Sequence, residues 1–360
     1  MLFNKLIPFG FVLATTATSV TDVIARNPNT STLNNLLQQQ PEVFSALESA
    51  KNITVLAPSN AAFEAFLKSD EGANAIHKSD LVANLLTYHV LNGIYKASAF
   101  SQFPKFPRTL LTNSSYTSLK DGQRVKVQAA NDSVVITSGS LATSRVVTPD
   151  LLASNGVIHI IDSVLVIPAS ISDTAKSAHL DSLAGALKKA DLVDTVDDLS
   201  SATVFAPTDD AFSAASDSIS KLDKSQLKEV LTYHVVDKVQ YSIDLADGSD
   251  LKNINGADIH IDTDYDSITV NSANVVISDV LVSNGVVHVI DEVLAVNPNK
   301  KGKTHDHKHD HDDHDDHDNH DHDHHDHDHD HHSSAGSIVK ISRHGVIALG
   351  IYILAQLFAI

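Results

Sequence analysis

The chain has 360 residues, no cysteine, no tryptophan and a formal net charge of −19. Without cysteine there is no disulfide framework, thiol nucleophile, iron–sulfur cluster or Cys-type zinc site. Twelve aspartates and one lysine between Thr304 and His332 supply −11 of the charge, so the rest carries −8 and offers no basic footprint for nucleic acid.

Met1 to Ser19 reads as a secretory signal peptide. Lys5 is the positive n-region, Leu6 to Ala14 the short apolar stretch, and small residues then place cleavage near Ala17 or Ser19. Four N-x-S/T sequons follow, at Asn29, Asn52, Asn113 and Asn131, all in the first half, so that half would carry glycans and the other stay bare.

The next elements occur twice. ITVLAPSNAAF (residues 53–63) matches ATVFAPTDDAF (202–212), LTYHV (86–90) matches LTYHV (231–235), and NGVIHIID (155–162) matches NGVVHVID (284–291). In the first block an apolar strand is stopped by Pro58, after which Ser59 or Asn60 caps a helix containing Phe63 and Phe66; Thr208 or Asp209 does the same before Phe212. The second block closes a helix, with Leu81, Leu85 and Tyr88 at helical spacing in one copy and Leu227, Val230 and Leu231 in the other. Between the second and third blocks, residues 124–128 and 133–137, and later 258–262 and 267–271, read as strands. The third block opens on an Asn-Gly turn and predicts a strand continuing through Val164, Leu165 and Val166. The first copy is longer, with the extra length expected mostly between Tyr88 and Asn155, around Phe100 to Pro107. Each copy thus reads as an α+β domain, helices first and strands after, with no solenoid.

These three blocks, in this order and twice over, resemble the fasciclin domain family. The resemblance covers about residues 31–168 and 177–298 and implies two wedge-shaped β-sandwiches, each with helices packed on one side. It also implies extracellular adhesion or matrix binding, with the Tyr88-His89 and Tyr233-His234 pairs as adhesion-motif candidates. The residues alone favour a hydrogen-bonded histidine near each core, and the same holds for His159 and His288 in the third block. The second copy departs from the first after its Tyr-His pair, reading VDK where the first reads LNG. No nucleophile elbow, H-E-x-x-H, P-loop or G-x-G-x-x-G is present, and no acid/base pair was found at matching positions, so no enzyme is expected and no cofactor is required.

A low-complexity tract follows the second copy. Fourteen histidines, His305, His307, His309, His311, His314, His317, His320, His322, His324, His325, His327, His329, His331 and His332, interleave with twelve aspartates. Imidazole and carboxylate suit zinc, copper or nickel, while the composition favours disorder because nothing in it can build a core. Small residues Ser333 to Ser337 come next, and the chain ends in the apolar run Val346 to Ile360. Fifteen residues fall short of the roughly 20 that a membrane-spanning helix needs, and the pattern fits a GPI-attachment signal, with Ser334 as the attachment site.

The expected organisation is a signal peptide (1–19), two domains (20–170 and 171–298), a disordered stalk (299–333) and a removed attachment signal (334–360). The expected function is cell-surface adhesion to matrix, cell-wall glycan or a surface protein, with a membrane link through GPI lipid and a metal-binding stalk. A surface zinc- or copper-buffering protein and a vacuolar or endomembrane protein acting in trafficking or fusion are the alternatives.

Overall fold

Three short helices begin the fold of this computed structural model, which describes residues 18–69, 72, 78–264 and 267–295. The signal peptide up to Ala17, the His/Asp tract and the terminal apolar run lie outside the described residues. Helix α1 (Val20–Arg26) starts on a capping box between Ser19 and Asp22. It is followed by α2 (Ser31–Gln38) and α3 (Pro41–Ser49); Pro41 occupies a first-turn position, where its missing N–H has no intrahelical bond to lose. Val20, Ile24, Leu33, Leu37, Val43 and Leu47 form one apolar face against β1 (Ile53–Pro58). After Pro58, the Ser59 hydroxyl accepts the Ala62 N–H and starts α4 (Asn60–Leu67); α5 (Ser79–Tyr88) then leads into β2 (Val90–Asn92).

The strands β3 (Lys126–Ala130), β4 (Ser133–Thr137), β5 (Thr143–Leu152) and β6 (Gly156–Ile161) complete a sheet of order β2-β1-β6-β5-β4-β3. Only β1 and β6 pair in parallel; the other pairs are antiparallel. Strand β5 pairs with β4 at its start and with β6 from Val146 onwards, through two register shifts, so it carries the chain from one leaf of the sheet to the other. Side-chain alternation along β1 divides the core accordingly. Val55 and Ala57 face the helices, while Leu56 packs with Val127 and Ile136 of the opposite leaf. The result is a β-sandwich with helices on one side.

The second copy repeats the plan. Helices α6 (Ile171–Ser177), α7 (Asp181–Lys189) and α8 (Val193–Asp197) precede β7 (Ala202–Pro207), then α9 (Asp209–Ala214), α10 (Ser216–Ile219) and α11 (Lys224–Tyr233). Strands β8 (Val235–Val236), β9 (Ser249–Lys252), β10 (Asp258–Asp264), β11 (Ser267–Val270), β12 (Ala273–Val282) and β13 (Gly285–Ile290) give the order β8-β7-β13-β12-β11-β10-β9. In both copies the strand after the Asn-Gly turn runs tightly against the start of the central strand. A Cβ at Gly156 would lie 2.4 Å from the Ile53 carbonyl oxygen, and one at Gly285 would lie 1.9 Å from that of Ala202. All described residues belong to one compact unit.

Two sequence expectations need correction. Val164 to Val166 is not strand: the Leu165 N–H goes to a histidine side chain and the Val166 N–H to the Ser138 hydroxyl, so the backbone donors are taken locally and no ladder forms. The extra length of the first copy does lie between Tyr88 and Asn155, but not at Phe100 to Pro107. Leu110 and Ile254 are equivalent, each donating to the carbonyl after the Tyr-His pair, and Arg124 and Asp258 are equivalent as acceptors of the two tyrosine hydroxyls. The insertion therefore falls in residues 111–122, and a second one, the turn at 138–142, separates β4 from β5. Both insertions reach the second domain: Thr117 and Ser118 bond to the Ser283 carbonyl, and Leu141 packs on the core of the second copy.

Candidate interaction surfaces

The Tyr-His pairs sit at the ends of α5 and α11, where the helix passes into the first edge strand. Tyr88 is fully buried and its hydroxyl donates to the Arg124 carbonyl at 3.0 Å; Tyr233 is 6% exposed and donates to the Asp258 carbonyl at 2.9 Å. His89 and His234 are each 3% exposed. Each imidazole is held between two backbone groups. In the first domain Nδ1 donates to the Leu85 carbonyl at 2.7 Å and Nε2 accepts the Leu165 N–H at 2.9 Å. In the second, Nδ1 donates to Val230 and Nε2 accepts from Leu294, both at 2.8 Å. A carbonyl can only accept and an N–H only donate, so these contacts require a neutral ring protonated on Nδ1. Burial accordingly pushes both imidazoles down to about 4, against a smaller upward effect of the Leu85 and Val230 carbonyls. None of these four side chains is offered to a ligand in this conformation, and all four knit helix, edge strand and C-terminal segment together.

A second histidine in each copy, His159 and His288, lies in β6 and β13 with the opposite tautomer. Nε2 of His159 donates to the Tyr95 carbonyl at 2.7 Å and Nε2 of His288 to that of Gln240 at 2.9 Å. Nδ1 of each accepts the backbone N–H of an aspartate, Asp150 or Asp279. Both aspartates have left-handed backbone, φ 57° and 65°. Sequence reading missed this matched acid–histidine pair. The signal was present as an aspartate five residues before each N-G-V motif, at Asp150 and Asp279. Both ring nitrogens of each histidine are engaged with backbone groups.

The two aspartates differ in what covers them. Asp279 is wholly buried at the junction between the domains. Its carboxylate takes the Lys126 ammonium of the first domain at 2.9 Å, the Ser242 N–H at 2.7 Å and the Ser242 hydroxyl at 2.6 Å. Burial would raise this carboxyl, but Lys126, His288 and the Ser242 bonds outweigh it and hold the group below its ordinary value. Around this ion pair Phe106 stacks on Tyr241 with ring centroids 4.0 Å apart, and the two pack against Leu281 and Val286. Gln123, fully buried, donates to the Val282 carbonyl at 3.1 Å. The junction thus combines a desolvated ion pair with apolar packing and inter-domain hydrogen bonds.

The remaining predicted sites are on the surface or outside the described residues. Asn29, Asn52 and Asn131 are exposed and Asn113 is half-buried, its side chain accepting the Ser115 N–H at 3.0 Å. Ser334 and the fourteen tract histidines lie outside the described residues. Among the described residues there is no group of three or more potential metal ligands, and no helix long and apolar enough to cross a membrane.

A family model described as "Fasciclin domain" matches residues 28–168 and 178–296. A fasciclin-like arabinogalactan protein of Arthroderma benhamiae is 32% identical over 302 residues, covering 83% of this chain and 71% of that protein. Human periostin is 28% identical over 272 residues, covering 71% of this chain and 30% of that protein. A solved FAS1 domain pair from the insect cell adhesion molecule Fasciclin I covers 74% of this chain and 96% of its own, with 20% identity and a TM-score of 0.35.

Proposed function

Because this chain belongs to the fasciclin domain family, we propose that it is a non-enzymatic, extracellular adhesion or matrix-binding protein, GPI-anchored at the cell surface. The observation that carries the reading is the fixed junction of the two domains. Gln123 and Phe106 of the first domain are buried against the second and Lys126 pairs with its buried Asp279, so the two domains share one packed junction. Relatives among the fasciclin-like arabinogalactan proteins and periostin support an extracellular adhesion-type role. The ligand class is matrix protein, cell-wall glycan or a surface protein of another cell.

Under this reading the His/Asp tract is a stalk between the domains and the lipid, and it binds zinc, copper or nickel. Fourteen imidazoles and twelve carboxylates supply ample donors, and ordering such a chain around an ion costs entropy, which makes the site weak and unselective. Metal binding needs neutral imidazole, so it holds at about pH 7.5 and fails near pH 5. Zinc titration of the full chain and of a deletion of residues 304–332 at both pH values tests this; equal binding by both proteins overturns it.

Adhesion is tested with cells displaying the full chain, scored on an array of matrix proteins and glycans before and after a phosphatidylinositol-specific phospholipase. Surface staining and adhesion that are both released by the enzyme support the reading. Staining confined to internal membranes favours a vacuolar or trafficking role instead. The fourteen-histidine tract is the specific observation that favours metal buffering as a second function. If deletion of residues 304–332 abolishes metal tolerance and spares adhesion, the two functions reside in different parts of the chain.

A further inference from the structure

Asparagine–glycine pairs occur at Asn92, Asn155, Asn255 and Asn284, and the fold treats the first of them differently. An asparagine before glycine can react with its own backbone, because the uncrowded glycine nitrogen reaches the side-chain carbonyl carbon. Three pairs are restrained against this. The Asn155 amide donates to the Leu47 and Ala50 carbonyls at 2.9 and 3.1 Å, and its oxygen accepts the Val20 N–H at 2.9 Å. Fully buried Asn284 donates to the Val196 carbonyl at 2.8 Å and to that of Leu199 at 3.2 Å. Asn255 donates to the Glu229 carbonyl at 3.1 Å, and the Gly256 N–H is itself held by the Asn253 carbonyl at 2.9 Å. Asn92 is exposed at the end of β2, where its backbone N–H donates to the Arg108 carbonyl at 2.8 Å. Its side chain makes no hydrogen bond among the described residues, and neither does the Gly93 N–H. Gly93 has φ 132°, and a Cβ there would lie 2.9 Å from the Tyr95 ring.

We propose that Asn92 is a self-modifying site, which converts to aspartate and isoaspartate in the folded protein while the other three pairs stay intact. The Gly93 nitrogen gives its proton to solvent base and bonds to Asn92 Cγ. The Cγ–Nδ2 bond breaks and ammonia leaves, closing a succinimide. Water then opens the ring at either carbonyl. One opening restores the ordinary main chain with an aspartate side chain; the other routes the main chain through Cβ and Cγ and so lengthens it. Water is consumed and ammonia released in equal amounts, with no change of oxidation state. The lengthened linkage displaces the Gly93 carbonyl, which accepts the buried Thr54 hydroxyl at 2.7 Å. That oxygen in turn accepts the Tyr95 N–H at 2.9 Å, and the Tyr95 carbonyl accepts Nε2 of His159 at 2.7 Å. The second copy runs the same chain of bonds from Lys238 through Thr203 and Gln240 to His288. It has Asp237-Lys238 in place of Asn92-Gly93, so it has no amide to lose and its backbone nitrogen is crowded by a lysine side chain. The change from LNG to VDK thus leaves the ageing position in the first domain alone. This chemistry needs no ligand and holds whether or not the chain mediates adhesion.

The test ages the full chain at mildly alkaline pH, in buffer and in guanidinium. Each pair is followed by peptide mapping with mass spectrometry, which separates asparagine, aspartate and isoaspartate forms. Expected is conversion at Asn92 at nearly the same rate in both solvents, with Asn155, Asn255 and Asn284 more than about tenfold slower in the folded protein than in guanidinium. If folding slows Asn92 as much as it slows Asn155 and Asn284, the proposal is overturned. Conversion of Asn255 in the folded protein at the Asn92 rate overturns it too. Thermal melting of the aged chain is the second readout. The melting temperature should fall as the isoaspartate fraction grows, because the Thr54 bond to Gly93 is lost. Asn92→Gln, whose longer side chain must close a larger ring, should keep its melting temperature over the same period. An equal fall in both proteins, or no fall in either, overturns the role given to the Gly93 carbonyl.

Discussion

His89 Nε2 accepts the backbone N–H of Leu165 at 2.9 Å, although the two residues are 76 positions apart. Protonating that nitrogen would set two N–H donors against each other inside the core, and His234 faces Leu294 in the same way at 2.8 Å. The folded imidazoles titrate at about 4, against an ordinary value of 6.5. Between those values the unfolded chain binds more protons than the folded one, so stability is fully present above about pH 6.5, falls as the pH drops towards 4 and levels off below it. The loss amounts to about 3 kcal/mol per histidine at 1.4 kcal/mol per pH unit. Urea melts across this range will show the decline, and His89→Gln will remove part of the pH dependence while lowering stability at neutral pH.

The ion pair between Lys126 and Asp279 makes a different prediction. Lys126→Met leaves a wholly buried carboxylate without its cation and should cost about 3–5 kcal/mol. Adding Asp279→Asn to that variant should restore most of the loss, because no buried charge remains. Asp279 titrates below its ordinary value, so its stabilising contribution is present above the unfolded carboxyl value and is lost as the pH falls through the folded one. Lys126→Met raises the folded value and moves acid unfolding to higher pH. Thermal melts of the single and double variants at two pH values check both statements.

Two glycine-to-alanine changes should act in opposite directions. At Gly285 the new methyl would lie 1.9 Å from the Ala202 carbonyl oxygen and force β13 away from β7, at about 3 kcal/mol. At Gly185, inside α7, no atom lies within 4 Å of the added carbon, and the helix gains about 1 kcal/mol. Secretion yield and melting temperature should fall for the first and rise for the second.

Cleavage of the signal peptide should fall after Ala17. Ser19 caps α1, and the Thr18 carbonyl accepts the Ser154 N–H at 2.8 Å, so both residues belong to the fold. Cleavage after Ser19 would forfeit the cap, worth about 1 kcal/mol. N-terminal sequencing of the secreted protein should therefore begin at Thr18; a start at Val20 would refute the assignment.

Most of the architecture was legible because its cues are local. Pro58 after an apolar strand, Ser59 and Thr208 as caps and the Asn-Gly turns at 155 and 284 mark element ends within a few residues. The repeat then assigned the same plan to both halves. What stayed hidden depends on residues far apart in sequence. Val164 to Val166 is β-branched and apolar enough to read as strand, but His89 and Ser138 take its donors. The Tyr-His pairs were visible as a motif, and a hydrogen-bonded histidine near the core was the reading their apolar flanks suited; the distant partner, the Leu165 N–H after β6, was not visible. Lys126 carried no signal at all, since its partner lies in the other domain.

The parallel pairing of β1 with β6 also sets a timetable. Ile53 pairs with Gly156, and the chain between them must be made before the central sheet can close. Until then Thr54, which in the finished fold is fully buried and donates its hydroxyl to the Gly93 carbonyl at 2.7 Å, stays open to solvent. Thr54 is the third residue of the sequon at Asn52. A transferase that must reach this hydroxyl can act only during that interval, so a glycan at Asn52 would record a race between sugar transfer and the arrival of the last strand.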